Sequence, residues 1–229
     1  MGNSFVRVHG ERIEVRDNKL DVSEKGIREL AEIEGLETLA DLQELNLRGN
    51  QLEQIEGLEN LTTLQALNLE KNQIKDLPES FGNLKSLQIL LIYDNHLMAL
   101  PKSFGSLKSL KELFLEVNQL KALPKSFGQL NFLQDLRIHD NQLRTLPESF
   151  GNLKLLNWLN LNSNKLTTLP ESFYKLKSLR RLYLGWNQLT ALPESFDDLK
   201  SLETLNLGFN QLTTLSESFG DLKSPIVEV

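Results

Sequence analysis

Residues 110–130 read LKELFLEVNQLKALPKSFGQL, and the reading of this stretch decides the rest. Leu113 and Leu115 stand two apart, so in an extended segment both point to one face while Phe114 points to the other. Asn118 follows, at the point where the chain must turn inside an apolar interior. Its amide carries both a donor and an acceptor, which suits it to satisfying the backbone of such a turn. Leu120, Leu123 and Pro124 come next, then Ser126-Phe127-Gly128 and Leu130.

The same frame recurs outward in both directions. Asn50, Asn72, Asn95, Asn118, Asn141, Asn164, Asn187 and Asn210 are spaced by 22 once and then by 23 six times. A three-residue strand cannot bury its leucines alone. Neighbours that stack at about 4.8 Å share a parallel sheet and a continuous core. Pro78, Pro101, Pro124, Pro147, Pro170 and Pro193 open the return segment, where a residue without a donor suits the first turn of a short helix. Phe81, Phe104, Phe127, Phe150, Phe173, Phe196 and Phe219 follow three residues later and are expected to fill the convex side. That layer is wider than the strand layer, so the stack should curve.

The pattern L-x-x-L-x-L-x-x-N-x-L with a trailing L-P-x-S-F-G-x-L resembles the leucine-rich-repeat family across nearly the whole chain. The resemblance implies an α/β fold: a right-handed horseshoe solenoid with a concave parallel sheet and short helices or 3₁₀ turns on the convex side. Residues 33–64, with Ile33-Glu34-Gly35-Leu36 and Ile55-Glu56-Gly57-Leu58, resemble the 22-residue repeats of phosphatase-regulating members. From Leu77-Pro78 onward the units resemble the 23-residue class of plant Ras-group-related and microbial members.

One continuous domain is expected. Within it, residues 1–19 form an N-terminal β-hairpin cap, because Phe5-Val6-Arg7-Val8 and Arg12-Ile13-Glu14-Val15 alternate around His9-Gly10. Residues 20–229 form a solenoid of about nine repeats, the first imperfect, with Leu20, Val22, Ile27 and Leu30 in frame and Lys25 where asparagine belongs. Ser216 replaces the proline and Pro225 stands where the next leucine is due, so no polar C-terminal cap is visible. An open end of this kind predicts a homodimer through that edge or continuation into further sequence.

A hydrophobic share of 40% with 24% charged residues excludes a wholly disordered chain. The net charge of −6, with no basic patch, argues against nucleic acid or an anionic membrane and favours a protein or peptide partner with basic and apolar groups. The absence of cysteine removes disulfides, thiol catalysis and cysteine-based zinc sites. Met1-Gly2-Asn3-Ser4-Phe5-Val6 carries no signal-peptide core, and Val6 stands where myristoylation wants Ser or Thr, so a cytoplasmic location is expected.

Function in a repeat protein lies in the positions the scaffold leaves free. Counted from each asparagine, positions −6, −4, −2, −1 and +1 should line the concave face. Ile89, Leu91, Tyr93, Phe114 and Val117 form one apolar group there, and Trp158, Tyr183, Trp186 and Phe209 a second. Between and beside them fall Asp94, Glu112, Glu116, Asp135 and Asp140, together with Arg137, Arg181, His139 and Asn160. Aromatic anchors carry a disproportionate share of interface energy, so their gathering at solvent-facing positions points to a contact surface. The competing reading is that they pair across strands and merely stabilise the sheet. The convex charges, Glu79 and Glu148 among them, read as a solvated face.

No phosphate loop, nucleophile elbow or zinc-helix motif occurs. His96 and His139 belong to repeats two units apart, about 10 Å along the stack and too far to share one metal. Glu112 and Asp135 are near enough to perturb each other, yet nothing supplies a nucleophile. No catalytic residue, metal or cofactor is therefore expected. The leading expectation is a protein-interaction module using an aromatic and acidic concave surface, which is also what the resemblance implies. The alternatives are self-assembly through the C-terminal edge, or the recognition arm of a larger signalling enzyme such as a GTPase or ligase.

Overall fold

The computed structural model describes residues 5–213. Two strands, β1 (Phe5–Val8) and β2 (Glu11–Glu14), form an antiparallel hairpin. Then come β3 (Lys19–Asp21), β4 (Ile33–Glu34), β5 (Glu44–Asn46) and β6 (Ala66–Asn68). One strand per repeat follows: β7 (Ile89–Leu91), β8 (Glu112–Phe114), β9 (Asp135–Arg137), β10 (Trp158–Asn160), β11 (Arg181–Tyr183) and β12 (Thr204–Asn206). β3 and β5 through β12 make one nine-stranded sheet in chain order, every pair parallel. β4 joins the hairpin through β1 instead.

Each repeat strand shows a buried centre between two exposed or partly exposed neighbours, as the two-residue alternation requires. Leu113 and Leu115 lie wholly inside, as do their equivalents from Leu67 to Leu205. On the opposite side Phe81, Phe104, Phe127, Phe150, Phe173 and Phe196 stack nearly parallel in one file, with centroids 6.0–6.4 Å apart. Strands repeat at about 4.8 Å. Each repeat is thus a wedge with its thick end at the phenylalanine, so the stack bends toward the sheet and makes the sheet side concave.

The convex segments are 3₁₀ turns, such as Glu79–Asn83, Lys102–Ser106 and Lys125–Gln129. Each proline sits one residue outside the turn rather than in its first position. Pro124 is extended (φ −65°, ψ 151°) and its carbonyl accepts the N–H of Phe127 at 2.9 Å. Proline's fixed φ matches this capping geometry, and its missing donor costs nothing there. A Cβ on Gly128 would collide with the backbone carbonyl of Ser149 in the next turn, which is why the S-F-G unit needs glycine for such close stacking.

The convex carboxylates do more than solvate that face. Glu79 accepts the backbone N–H groups of Lys102 (3.0 Å) and Ser103 (2.8 Å), capping the next repeat's turn. These bonds, the one from Ser103 foremost, hold its carboxyl below the ordinary range. Glu148 makes the corresponding, longer bond to the N–H of Ser172 at 3.4 Å.

The asparagines form the expected ladder. Asn118 Oδ1 accepts the N–H of Leu97 in the preceding repeat at 2.9 Å, and its Nδ2 donates to the carbonyls of Ile92 (3.0 Å) and Leu115 (3.1 Å). Asn50, Asn72, Asn95, Asn141, Asn164, Asn187 and Asn210 repeat this arrangement. Lys25 needs no amide of its own, because Asn50 reaches back to the N–H of both Lys25 and Ile27. The expectations for Ser216, Phe219, Pro225 and the C-terminal edge lie outside the described residues. Among the described residues no helix is long and apolar enough to cross a membrane.

Candidate functional site

The strands place positions −6 and −4 side by side in strict register across the hollow. Glu112, Asp135, Trp158, Arg181 and Thr204 form one row, and Leu91, Phe114, Arg137, Asn160, Tyr183 and Asn206 the other. Ile89, Leu91, Phe114, Trp158 and Tyr183 are all partly exposed, so the rings face the hollow and not the core.

At the centre, side chains from four strands interleave. The Arg137 guanidinium lies 4.2 Å from the Phe114 ring centre and 4.9 Å from that of Trp158. Arg181 covers Trp158 at 5.0 Å, and Tyr183 tilts against the same indole at 6.3 Å. Guanidinium planes are weakly hydrated and stack well on aromatic faces, so alternation of ring and cation stabilises a surface that stays accessible. Arg137 also pairs with Asp135 at 3.1 Å. Among the described residues Glu112 and Arg181 have no ion-pair partner, which leaves one unbalanced charge of each sign on either side of Trp158.

Glu116 is the carboxylate whose proton affinity this environment raises. Burial raises its proton affinity, only partly opposed by its own backbone N–H and by Arg137. His139 is pushed down, first by burial and then by Arg137, against the pull of Asp140 at 3.8 Å. One carboxylate oxygen of Glu116, Nδ1 of His139 and Nε1 of Trp158 are buried without a hydrogen-bond partner among the described residues, all within three adjacent repeats.

Toward the N-terminal end a second network forms, of which only Tyr93 was expected. Glu70, whose side chain is 8% exposed, takes Arg48 at 3.1 Å and Lys71 at 3.6 Å, and is hydrogen-bonded to the Tyr93 hydroxyl. Burial pushes the Glu70 carboxyl up, but Tyr93 and Arg48 outweigh it and leave it lowered. Tyr93 is pushed up to about 12 by burial and then by Glu70. The signal was present in sequence, since Arg48, Glu70 and Tyr93 are successive residues at position −2. Beside this network an open cavity of about 810 Å³ lies between the hairpin's β2 and the strands β3 and β5 to β7. Glu11, Arg12, Lys19, Lys25 and Glu44 line it, already paired as Lys25–Glu11 and Lys19–Glu44, both 2.7 Å. No local pattern reveals that cavity, because it depends on where the hairpin packs.

Two expectations change in detail. The second aromatic group resolves into two pairs: Trp158 with Tyr183, and Trp186 stacked on Phe209 at 3.8 Å. Asn160 turns its oxygen onto the N–H of Asn162 at 3.1 Å, so that acceptor serves the local backbone.

Position −1 has a property that alternation alone does not reveal. Lys71, Asp94, Val117, Asp140, Ser163, Trp186 and Phe209 all adopt left-handed backbone, φ 52° to 58°. Val117, Trp186 and Phe209 are poorly suited to it, and are 46%, 58% and 68% exposed. Among the described residues no three His, Asp or Glu side chains converge as metal ligands.

A family model described as a leucine-rich repeat region matches residues 20–144 and 133–224. No curated protein matches in sequence. Among solved structures, a leucine-rich-repeat protein of Leptospira interrogans is 32% identical with a TM-score of 0.68, over 91% of this chain and 64% of that one. A TDR receptor is 27% identical (TM-score 0.77), covering 92% of this chain and 42% of the receptor. The structure of PEPR1-AtPEP1 is 29% identical (TM-score 0.75), with 94% and 35% covered. The chain spans 64% or less of the length of each of these three.

Proposed function

Because this chain belongs to the leucine-rich-repeat family, we propose that it is a protein-interaction module that grips a protein or peptide on its concave face, binding without catalysing. The observation that carries the reading is the interleaved set Phe114, Arg137, Trp158, Arg181 and Tyr183. Large rings at solvent-facing positions cost solubility, and Trp, Tyr and Arg are the residues most enriched among interface anchors. The partner carries apolar groups for the rings and basic groups for Asp94, Glu112 and Asp140. Neither nucleic acid nor membrane fits a chain of net charge −6. That one of the similar structures is named a receptor supports recognition as the role.

Capture from a lysate followed by mass spectrometry, run beside a Trp158→Ala, Tyr183→Ala, Trp186→Ala variant, tests the assignment. Circular dichroism should report a folded variant that no longer retains the wild-type protein's partners. A folded variant with unchanged captures removes the concave assignment and leaves the rings as cross-strand stabilisers.

A further inference from the structure

Position −9, in the turn leading into each strand, is serine in four of the six repeats from 73 onward: Ser86, Ser109, Ser178 and Ser201. The two central repeats depart from this together, with Phe132 and Leu155, which are 54% and 43% exposed. Neither ring nor branch is needed by a fold that serves four neighbours with a hydroxyl. Their adjacency makes an apolar patch on the flank of the solenoid, beside the start of β9 and β10.

The patch is continuous with the hollow. An open groove of about 580 Å³ is lined by Leu155 and Trp158 together, so it crosses the rim from flank to concave face. Glu112 and Asp135 lie at one end, and Lys177 and Arg180 at the other. Three of these charges are already answered: Asp135 by Arg137, Lys177 by Asp198 at 3.7 Å, and Arg180 by Glu203 at 3.0 Å. Glu112 is left unbalanced within the groove, while Arg181, in register with Trp158 on its other side, is the unbalanced cation. The row therefore reads acid, acid, indole, guanidinium.

We infer that the partner presents an extended segment lying across the strands over the rim, with a large apolar side chain between Leu155 and Trp158, a basic residue toward Glu112 and an acidic one toward Arg181. This rests on the concave-face reading and narrows it. Two strand spacings, about 10 Å, separate Glu112 from Trp158, and an extended chain advances about 3.3 Å per residue. The basic residue thus stands about three positions from the apolar one. The acidic residue, one strand spacing away, stands one or two positions from it on the other side.

The test uses three sets of labelled synthetic peptides in fluorescence anisotropy: apolar residue with base on one side and acid on the other, apolar between two bases, and apolar between two acids. The mixed set should bind tightest to the whole chain. Phe132→Ser with Leu155→Ser, which restores the residue that four other repeats carry and so preserves the fold, should weaken it by about tenfold, the scale of one lost anchor. Glu112→Gln should abolish the preference for the basic residue. If the mixed peptides bind and Trp158→Ala abolishes binding, yet the serine pair and Glu112→Gln change nothing, the rim inference fails and the concave reading stands. Preference for the doubly acidic or doubly basic set, or no binding by any set, overturns the inference and returns the concave reading to the capture experiment alone. Loss of self-association in the serine pair, seen by sedimentation without peptide binding, overturns it in favour of a second copy on the patch.

Discussion

The Arg137 guanidinium sits 4.9 Å above the centre of the Trp158 indole, although the two residues come from different repeats and different strand positions. The Phe114 ring centre lies 4.2 Å from the same cation, and Asp135 takes its charge at 3.1 Å. The arrangement holds a large ring and a cation in accessible positions, which would lower the ordering cost of the proposed binding.

Arg137→Lys should therefore not behave as a conservative change. An ammonium on a flexible stem cannot reproduce the guanidinium's contact with both rings, at about 0.5–1 kcal/mol for a partly exposed cation–π contact. Urea unfolding should give that loss, and Trp158 fluorescence should shift in the folded state. An unchanged spectrum and midpoint would show that the stack contributes nothing.

Asn118→Ala should be among the most damaging single changes on the concave side. It strands the N–H of Leu97 in the interior, and it takes one of two donors from the carbonyls of Ile92 and Leu115, which Asn95 (3.3 Å) and Asn141 (3.0 Å) still serve. With one buried unsatisfied group costing about 1–3 kcal/mol, a loss of about 2 kcal/mol is expected by chemical denaturation. The same change at Asn210, less buried than the others, should cost less.

Val117→Asn should stabilise the fold. A β-branched residue at φ 53° is strained, asparagine tolerates that region, and a half-exposed valine gives up little burial. A gain of about 0.5–1 kcal/mol in urea would match the strain argument. Destabilisation would mean that Val117 makes packing contacts worth more than its strain.

Stability should depend on pH through two carboxylates of opposite sign. Glu116 is raised above its ordinary 4.5 by burial, so the folded state favours its protonated form. Its contribution is fully present below 4.5 and is lost as pH rises through the elevated folded value. Glu116→Gln should accordingly raise the melting temperature at neutral pH and leave it unchanged near pH 4. Glu70 is lowered, so its contribution is present above 4.5 and is lost as pH falls through the depressed folded value. Tyr93→Phe, which removes a hydrogen bond to that carboxylate, should move acid unfolding to higher pH. Melting scans from acid to neutral pH would check both signs, and a gain from Glu116→Gln that is equal at every pH would contradict the burial argument.

Much of the site's outline was legible before any coordinates. The leucine pair in L-x-L assigned Phe114, Trp158 and Tyr183 to the hollow because alternation in an extended strand leaves no other choice. Glu70 carries no aromatic signal, yet its place between Arg48 and Tyr93 at position −2 is written in the repeat. Phe132 and Leu155 are written in the sequence too, as two departures from serine at position −9, a position outside the strands that alternation does not assign to a face.

The sequence by itself determined the period, the inward and outward faces, and the chemistry of the asparagine ladder. Each is a local rule repeated every 22 or 23 residues, and repetition makes local rules add up. Only the tertiary structure decided which outward side chains meet: that Arg137 lies between Phe114 and Trp158, that Trp186 stacks on Phe209 apart from them, and that Leu155 shares a groove with Trp158. Those meetings depend on side-chain direction across strands from different repeats, and on the left-handed turn at position −1. Neither is set by the spacing of leucines, because the core constrains the buried face and leaves the wet one to find its own lowest-energy contacts.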